Sequence, residues 1–219
     1  MRSKFPALLL LAHFLVGGAI AQPVDDDNLS ANARFLVAAR NADAAGIERA
    51  LAAGANVNSR NRLGESALVI LLKGNKVELA QKVLAAGADV NLAAVNGITP
   101  LMAAAFNGQT DVARQLLDKG ANVAALDRLQ KNAMTYAAGA GSTEIVELLL
   151  ARGVNPNAVY NNDLTALMWA AGFGKTATVK ALLAAGAKPQ MKDNRGKTAA
   201  DMARDGNFKE TVAVLDAGG

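Results

Sequence analysis

The sequence predicts an all-α protein in which about six helix-turn-helix units stack in one direction and are joined by hairpin-like finger loops. The first observation behind this prediction is a glycine that recurs every 33 residues, at Gly54, Gly87, Gly120, Gly153 and Gly186. The second is a leucine three residues before each of these glycines, at the end of an apolar run with helical spacing. Self-similarity at a fixed period of this length indicates a solenoid, whose repeats bury their apolar faces only against their neighbours.

The chain begins with the features of an export signal. A basic start precedes an apolar run from Phe5 to Val16, and Ala19-Ile20-Ala21 has small residues where a signal peptidase needs them. We expect residues 1–21 to be a Sec signal peptide that is cleaved after Ala21, with no stable membrane insertion afterwards. Residues 22–29 are predicted to be a polar linker. The expected location is therefore the bacterial periplasm, or outside the cell.

The composition excludes several kinds of chemistry. The one histidine, His13, lies in the expected signal peptide, and the sequence has no cysteine. A mature chain without either residue type has no Cys/His zinc site, no cysteine nucleophile and no histidine-dependent triad. We therefore expect no catalytic, cofactor-binding or metal-binding residues. The 23 basic and 19 acidic residues are scattered, which does not indicate a nucleic-acid partner.

One unit of the repeat, residues 95–124, shows how each period is built. Thr99 stands where a helix N-cap belongs, and Pro100 follows at the first helical position, where its missing N–H costs nothing. Asn107-Gly108 ends that helix, and a second helix is predicted from Asp111 to Lys119. Gly120 is then expected in the left-handed conformation that ends many helices. An extended finger loop leads to the next unit.

The same order of elements divides residues 30–219 into six units. Their predicted ranges are 30–58 for an amino-terminal cap, then 62–91, 95–124, 128–157 and 161–190, and 194–219 for a carboxy-terminal cap. Both end units place polar residues on the outer face, which a soluble stack requires. Gln130 and Asp163 replace the finger glycine in two units, so we expect weaker support for the turn there.

The stretch Asn96-Gly97-Ile98-Thr99-Pro100-Leu101, followed by Gly120-Ala121-Asn122-Val123, resembles the ankyrin repeat. Related copies recur in the other units, so the resemblance covers the chain from about residue 30 onward. It implies a non-catalytic protein–protein interaction module that binds through a concave face built from the fingers and the first helices. The partner is thus expected to be another protein, and the chain itself is expected to be a monomer.

The resemblance also implies where a partner binds, at the finger tips and on the exposed side of the first helices. Transferred position by position, the candidates are Arg62, Val95, Ile98, Phe106, Leu126, Arg128, Leu129, Tyr136, Leu164, Trp169, Phe173 and Arg195. Lys131 lies on the same side of the stack. Tyr136 and Trp169 are one period apart, and two interpretations of them stay open. They either fill gaps between adjacent first helices or anchor a partner, as aromatic residues do at binding hot spots.

Other functions remain as alternatives at this point. The same face would serve an inhibitor or accessory subunit of a specific envelope enzyme. A carboxylate-dependent enzyme would need two converging acids, whereas most acids in the middle of the stack stand where they cap helices or face solvent. Residues 172–176 look like the end of a phosphate-binding loop but follow no predicted strand, so we interpret them as an inter-helix turn. The export signal argues against a cytosolic effector.

Overall fold

The computed structural model describes residues 29–217, which form twelve α-helices in six consecutive pairs. The expected signal peptide over residues 1–21, most of the linker and the terminal Gly219 lie outside the described residues. The pairs are α1 (Ala31–Asn41) with α2 (Ala44–Ala52), α3 (Ala67–Lys73) with α4 (Val77–Ala85), α5 (Pro100–Phe106) with α6 (Thr110–Asp118), α7 (Ala133–Ala140) with α8 (Thr143–Ala151), α9 (Ala166–Gly172) with α10 (Thr176–Ala184), and α11 (Ala199–Asp205) with α12 (Lys209–Ala217). The predicted all-α stack of about six units is confirmed.

The first helix of every pair begins at a residue whose side chain accepts a backbone hydrogen bond from the residue three positions on. These caps are Ser30, Ser66, Thr99, Asn132, Thr165 and Thr198. Such a cap satisfies one of the free N–H groups at a helix start and contributes about 1 kcal/mol. The prediction that Thr99 caps a helix beginning at Pro100 is confirmed. The second helix of that unit begins one residue before its predicted start, at Thr110.

The helices pack in two rows. The first helices contact one another along the stack, with α5 between α3 and α7 and with α9 between α7 and α11. The second helices form the outer row in the same order. Alanines fill the centre of the inner row, and Ala104, Ala138 and Ala171 are each 0% exposed. Because these side chains are small, short helices can approach one another closely and still exclude water. No helix within residues 29–217 is long and apolar enough to cross a membrane.

Five finger loops join the six pairs. We number them one to five, over residues 54–65, 87–98, 120–131, 153–164 and 186–197. A backbone hydrogen bond closes the tip of each finger, and in the third it runs from the Asp127 N–H to the Lys131 carbonyl at 2.8 Å. Gly120, at the start of that finger, has φ +83°, which confirms the predicted left-handed residue. Gln130 and Asp163 adopt φ 59° and 58° and so keep the turn without glycine.

Candidate functional site

Four consecutive fingers each expose one large apolar side chain near the tip. These residues, which we call the finger-tip strip, are Leu63, Val95, Leu126 and Val159, and they are 46–56% exposed. Single exposed apolar residues are ordinary on a protein surface, but four of them on consecutive fingers make this side of the stack a candidate interaction site. Val95 and Leu126 were predicted as binding residues from the sequence. Leu63 was missed, although it stands in a finger tip like the others.

Arginine side chains lie among these apolar residues. Arg62 and Arg128 are exposed on the first and third fingers. Arg195, on the fifth finger, instead holds its own loop together, since its Nε donates to Asp193 Oδ2 at 2.8 Å. Its side chain is still 45% exposed, so the guanidinium remains accessible at one end of the row. Arginine beside apolar side chains is the composition typical of protein-binding surfaces.

Three of the predicted binding residues are buried: Ile98 and Tyr136 almost completely, which corrects the prediction from the sequence, and Trp169 with 7% exposed. Ile98, the last residue of the second finger, is 1% exposed, and Tyr136 in α7 is 0% exposed. The Tyr136 hydroxyl donates to Asp127 Oδ2 at 2.6 Å, and its ring packs edge-on against Phe106 with centroids 6.3 Å apart. Burial and the neighbouring Asp127 carboxylate raise the pKa of Tyr136. Of the two interpretations of Tyr136, the structure supports core packing, so the proposed contact surface includes neither Ile98 nor Tyr136.

The remaining aromatic and apolar candidates lie at the edge of the core. Phe106, Leu129, Leu164 and Phe173 are half-buried. Trp169 is 7% exposed, and its ring stacks on Phe173 with centroids 6.0 Å apart and planes within 7°. Trp169 therefore contributes mainly to packing, with one edge directed toward a gap in the row of fingers.

This gap lies between the third and fourth fingers. Neighbouring fingers are elsewhere tied by backbone bonds from Val95 to Leu63, from Arg128 to Asn96 and from Asn194 to Asn162, at 2.9–3.1 Å. The equivalent bond, from the Asn161 N–H to the Leu129 carbonyl, is the one missing from the series within the described fingers.

A second kind of tie is also absent at the gap. The side chains of Asn58, Asn91 and Asn157 each accept a bond from the next finger, all at 2.8 Å. The third finger has Ala124 at this position, and an alanine side chain has no acceptor to offer. Both the backbone tie and the side-chain tie are therefore lost between the same two fingers.

A cavity of about 160 Å³ occupies the gap. Its walls are Leu129, Gln130, Lys131, Tyr160, Asn161, Asn162, Leu164 and Trp169. The Lys131 ammonium is 5.3 Å from the ring centroids of both Tyr136 and Trp169, and the residue is 5% exposed. Within the described chain, neither Lys131 Nζ nor Trp169 Nε1 has a hydrogen-bond partner. Burial lowers the pKa of Lys131, and the charge of Asp127 opposes that shift only in part.

The outer row of helices has a different surface. Exposed ion pairs join successive second helices, with Lys82 Nζ 2.7 Å from Glu48 Oε1 and Arg152 Nη2 2.5 Å from Asp118 Oδ1. The acids at the start of these helices, such as Asp111 and Glu144, stand in the first turn, where they suit the helix dipole. The charges on this side thus largely stabilise the stack itself.

Two buried carboxylates of the fingers, those of Asp127 and Asp193, accept hydrogen bonds that stabilise their own loops. Asp127 Oδ1 accepts the N–H groups of Leu129 and Lys131, both at 2.8 Å. Asp193 does the same in the fifth finger for Arg195 and Lys197. The two carboxylates belong to separate fingers and each closes its own loop, whereas the sequence predicted that most acids of the stack cap helices or face solvent.

Paired helices with a row of finger loops define a repeat protein whose contacts run between neighbours and whose loops form one continuous surface. The family model described as "Ankyrin repeats" matches three times, over residues 35–127, 74–160 and 134–217. The chain belongs to the ankyrin repeat family. The comparison with curated proteins gives no significant match. Ankyrin repeats are protein–protein interaction modules and are typically non-catalytic, and no catalytic family was found for the chain.

Proposed function

We propose that this is an exported, non-catalytic ankyrin repeat protein that binds a partner protein through its concave face. The observation that carries the proposal is the finger-tip strip, in which four consecutive fingers each present one exposed apolar side chain. The strip offers apolar area to a partner, and Arg62 and Arg128 offer charge beside it. Arginine is among the residues that contribute most binding energy at protein interfaces, and the apolar contacts around such a residue exclude water from it.

The outer face is the poorer candidate for partner binding. Three ion pairs there already join exposed charges of neighbouring units, as Lys82 is joined to Glu48. Displacing such pairs gains little, because an exposed ion pair contributes only about 0–1 kcal/mol. By contrast, the apolar finger tips lose unfavourable contact with water when a partner covers them.

The first experiment compares capture of the partner by variants of the two faces. The full chain is immobilised and exposed to an envelope extract, beside the double variant Val95→Ser/Leu126→Ser and the outer-face control Arg114→Ala. We expect the double variant to weaken the binding of a captured protein about 30-fold or more, which corresponds to hot-spot residues. Because all three positions are exposed, the melting curves of the variants should coincide. Capture that Arg114→Ala abolishes and the double variant retains would move the site to the outer face.

The consequence of binding separates a simple interaction module from the alternative, an inhibitor or accessory subunit of an envelope enzyme. If the captured protein is an enzyme, its activity is measured with and without the chain. A change of activity that the double variant fails to produce supports the alternative, whereas unchanged activity supports scaffolding or localisation.

Export has its own test. The small residues Ala19 and Ala21 support cleavage after Ala21, so the chain isolated from the envelope should begin at Gln22. Intact-mass measurement checks this expectation directly. A mass that retains Met1 would contradict cleavage and favour an uncleaved anchor.

A further inference from the structure

The last residue of alternate fingers is charged, and its partner stands eight positions later. Glu65 ends the first finger and pairs with Lys73, with Nζ 2.6 Å from Oε1. Lys197 ends the fifth finger and pairs with Asp205 in α11. The third finger ends at Lys131, which is 66 residues from each of them. Repeat symmetry therefore predicts an acidic partner for Lys131 as well.

That partner is missing. The position eight residues after Lys131 is Gly139, which has no side chain to offer. Asp127 is the charged group that acts on Lys131, but its oxygens are occupied by the Tyr136 hydroxyl and two backbone N–H groups. The ammonium is consequently buried between two rings, and no hydrogen-bond acceptor reaches it from any described residue.

A buried ammonium without an acceptor is unusual, because desolvation of a charge is costly unless a partner compensates for it. Trp169 adds a second buried donor without a partner at the same cavity. Two donors without partners on residues that line one cavity indicate an acceptor with two oxygens, and a carboxylate is the common group in proteins that carries both two acceptors and a negative charge.

The size of the cavity restricts the ligand further. At about 160 Å³ it is well below the volume of a typical small-molecule site, which is roughly 300–1,000 Å³. One amino-acid side chain fits this volume. Leu129 and Leu164 line the cavity and would contact the methylene groups of an inserted side chain.

We propose that the cavity between the third and fourth fingers, the Lys131 pocket, receives the carboxylate of a glutamate or aspartate side chain from the partner protein. The proposal rests on the proposed function, since the acidic side chain belongs to the protein bound on the finger side. In the free chain both donor atoms are shielded from solvent, so on binding the Lys131 ammonium and the Trp169 indole turn toward the cavity, where Nζ and Nε1 donate to the carboxylate oxygens. The partner thereby supplies the opposite charge for Lys131, as Lys73 does for Glu65 and Asp205 does for Lys197 inside the other units.

The pocket can be tested without knowing the partner, because its tryptophan is the only one in the chain. A ¹H–¹⁵N spectrum of the full chain therefore contains one indole resonance, from Trp169. The probe is N-acetyl-glutamate α-amide, which carries the carboxylate on the side chain, and N-acetyl-glutamine α-amide is its uncharged control. We expect the indole resonance to shift saturably with a Kd on the order of 1 mM, typical of so small a ligand. The control should bind about tenfold more weakly, because hydrogen bonds to a charged acceptor are the stronger ones.

A matched pair of variants assigns the response to the pocket. Lys131→Met keeps most of the length of the side chain and should abolish the shift. Lys197→Met removes the lysine at the equivalent position of the fifth finger and should leave the shift unchanged. N-acetyl-alanine, whose only carboxylate is the terminal one, distinguishes a side-chain ligand from a chain terminus.

Four outcomes would overturn the inference. They are no shift up to about 50 mM probe, far above the expected Kd; equal binding of the glutamine control; an undiminished shift in Lys131→Met; and tighter binding of N-acetyl-alanine, which would reassign the pocket to a chain terminus. Failure of the proposed function is distinguishable, because it appears in the capture experiment. If the Val95→Ser/Leu126→Ser variant no longer captures the partner but the probe causes no shift of the Trp169 resonance, only this inference fails.

Discussion

The junction between the second and third fingers and the junction between the third and fourth fingers differ, although they are one period apart. At the first, the Arg128 N–H donates to the Asn96 carbonyl and the Asn122 N–H to Asn91 Oδ1. At the second, both equivalent bonds are missing among the described residues, and a cavity lies in their place. The difference shows that a repeat protein can open a cavity between two fingers when the hydrogen bonds between them are missing, while its helices stay in register.

Three sequence differences coincide with the open junction. Ala124 removes the amide acceptor that Asn91 provides one period earlier. Gln130 stands where the second finger has Gly97, whose added Cβ would lie only 2.7 Å from the Asp127 Cα. Tyr160 replaces Asp127, so the fourth finger lacks a carboxylate to close its tip and instead forms a short 3₁₀ turn over Asn161–Asp163. Each change opens space or removes a bond at the same place.

The largest expected effect compares the aromatic residues of the two junctions. Tyr136→Ala should lower the free energy of unfolding by about 3–5 kcal/mol, because it empties a fully buried site and leaves Asp127 without the hydroxyl. Trp169→Ala should cost less, about 2–3 kcal/mol, since its indole N–H has no partner to lose and its site already borders a cavity. Urea unfolding measures both values. A larger cost for Trp169→Ala would mean that the second junction is the better packed one.

A side chain at Gly97 should destabilise the junction between the second and third fingers. Gly97→Ala should destabilise by about 2–3 kcal/mol, because the backbone has φ +84° and the new Cβ would meet Asp127. Gly120→Ala is the control: it has φ +83° with open space around the Cβ, and should cost only about 1 kcal/mol. Chemical denaturation of the two variants separates conformational strain from the clash. Equal costs would argue against close packing of the second and third fingers.

Removal of the buried Lys131 ammonium should stabilise the chain, whereas the preceding variants destabilise it. Because burial lowers the pKa of Lys131, the protonated form destabilises the folded state at neutral pH, and this penalty declines as the pH rises above the folded pKa and is lost above the ordinary value of 10.5. Lys131→Met should therefore stabilise the free protein, by about 1 kcal/mol at pH 7. Lys197→Met, which breaks the pair with Asp205, should instead destabilise by about 0–1 kcal/mol. Thermal melting that shows Lys131→Met to be destabilising would indicate that the contacts of the ammonium with the two rings outweigh its desolvation.

The last predicted effect concerns the first finger and depends on pH. Burial alone would raise the pKa of Glu65, but the hydrogen bonds from Lys73 and Asn61 and the charges of Lys73 and Arg40 outweigh it and lower the pKa below 4.5. The carboxylate therefore contributes stability above pH 4.5, and this contribution is lost as the pH falls through the folded pKa. Glu65→Gln should lose about 1 kcal/mol at pH 7 and melt with a shallower decline between pH 5 and pH 3. If the melting temperature of the variant declined between pH 5 and pH 3 as steeply as that of the unmodified chain, the loss of stability in acid would be due to other carboxylates.

Local features of the fold were predictable because they depend on short stretches of sequence. Thr99, Pro100 and Gly120 specify a helix start and a helix end by their own geometry, and the period repeats them. The burial of Tyr136 was not predictable in this way, since it depends on Phe106 and Asp127 in neighbouring elements. A position on the inner helix row does not reveal how far the adjacent finger covers it.

The pocket was partly readable from the sequence. Glu65 with Lys73 and Lys197 with Asp205 share a spacing of eight residues, and Lys131 has Gly139 at that spacing. This comparison across periods would have identified the lysine without a partner. The cavity itself could not be derived, because it requires that two fingers separate, and this follows from missing ties rather than from any single residue.

The contacts between helices also bear on how the chain can change in length. Within residues 29–217, the main helix contacts join helices of the same pair or of adjacent pairs. Deleting the 33 residues from 95 to 127 would join Ala94 to Arg128 and keep every cap and every left-handed residue in phase. Length is therefore a variable of this architecture that changes in whole periods. Each such step adds or removes one finger and with it one portion of the binding surface.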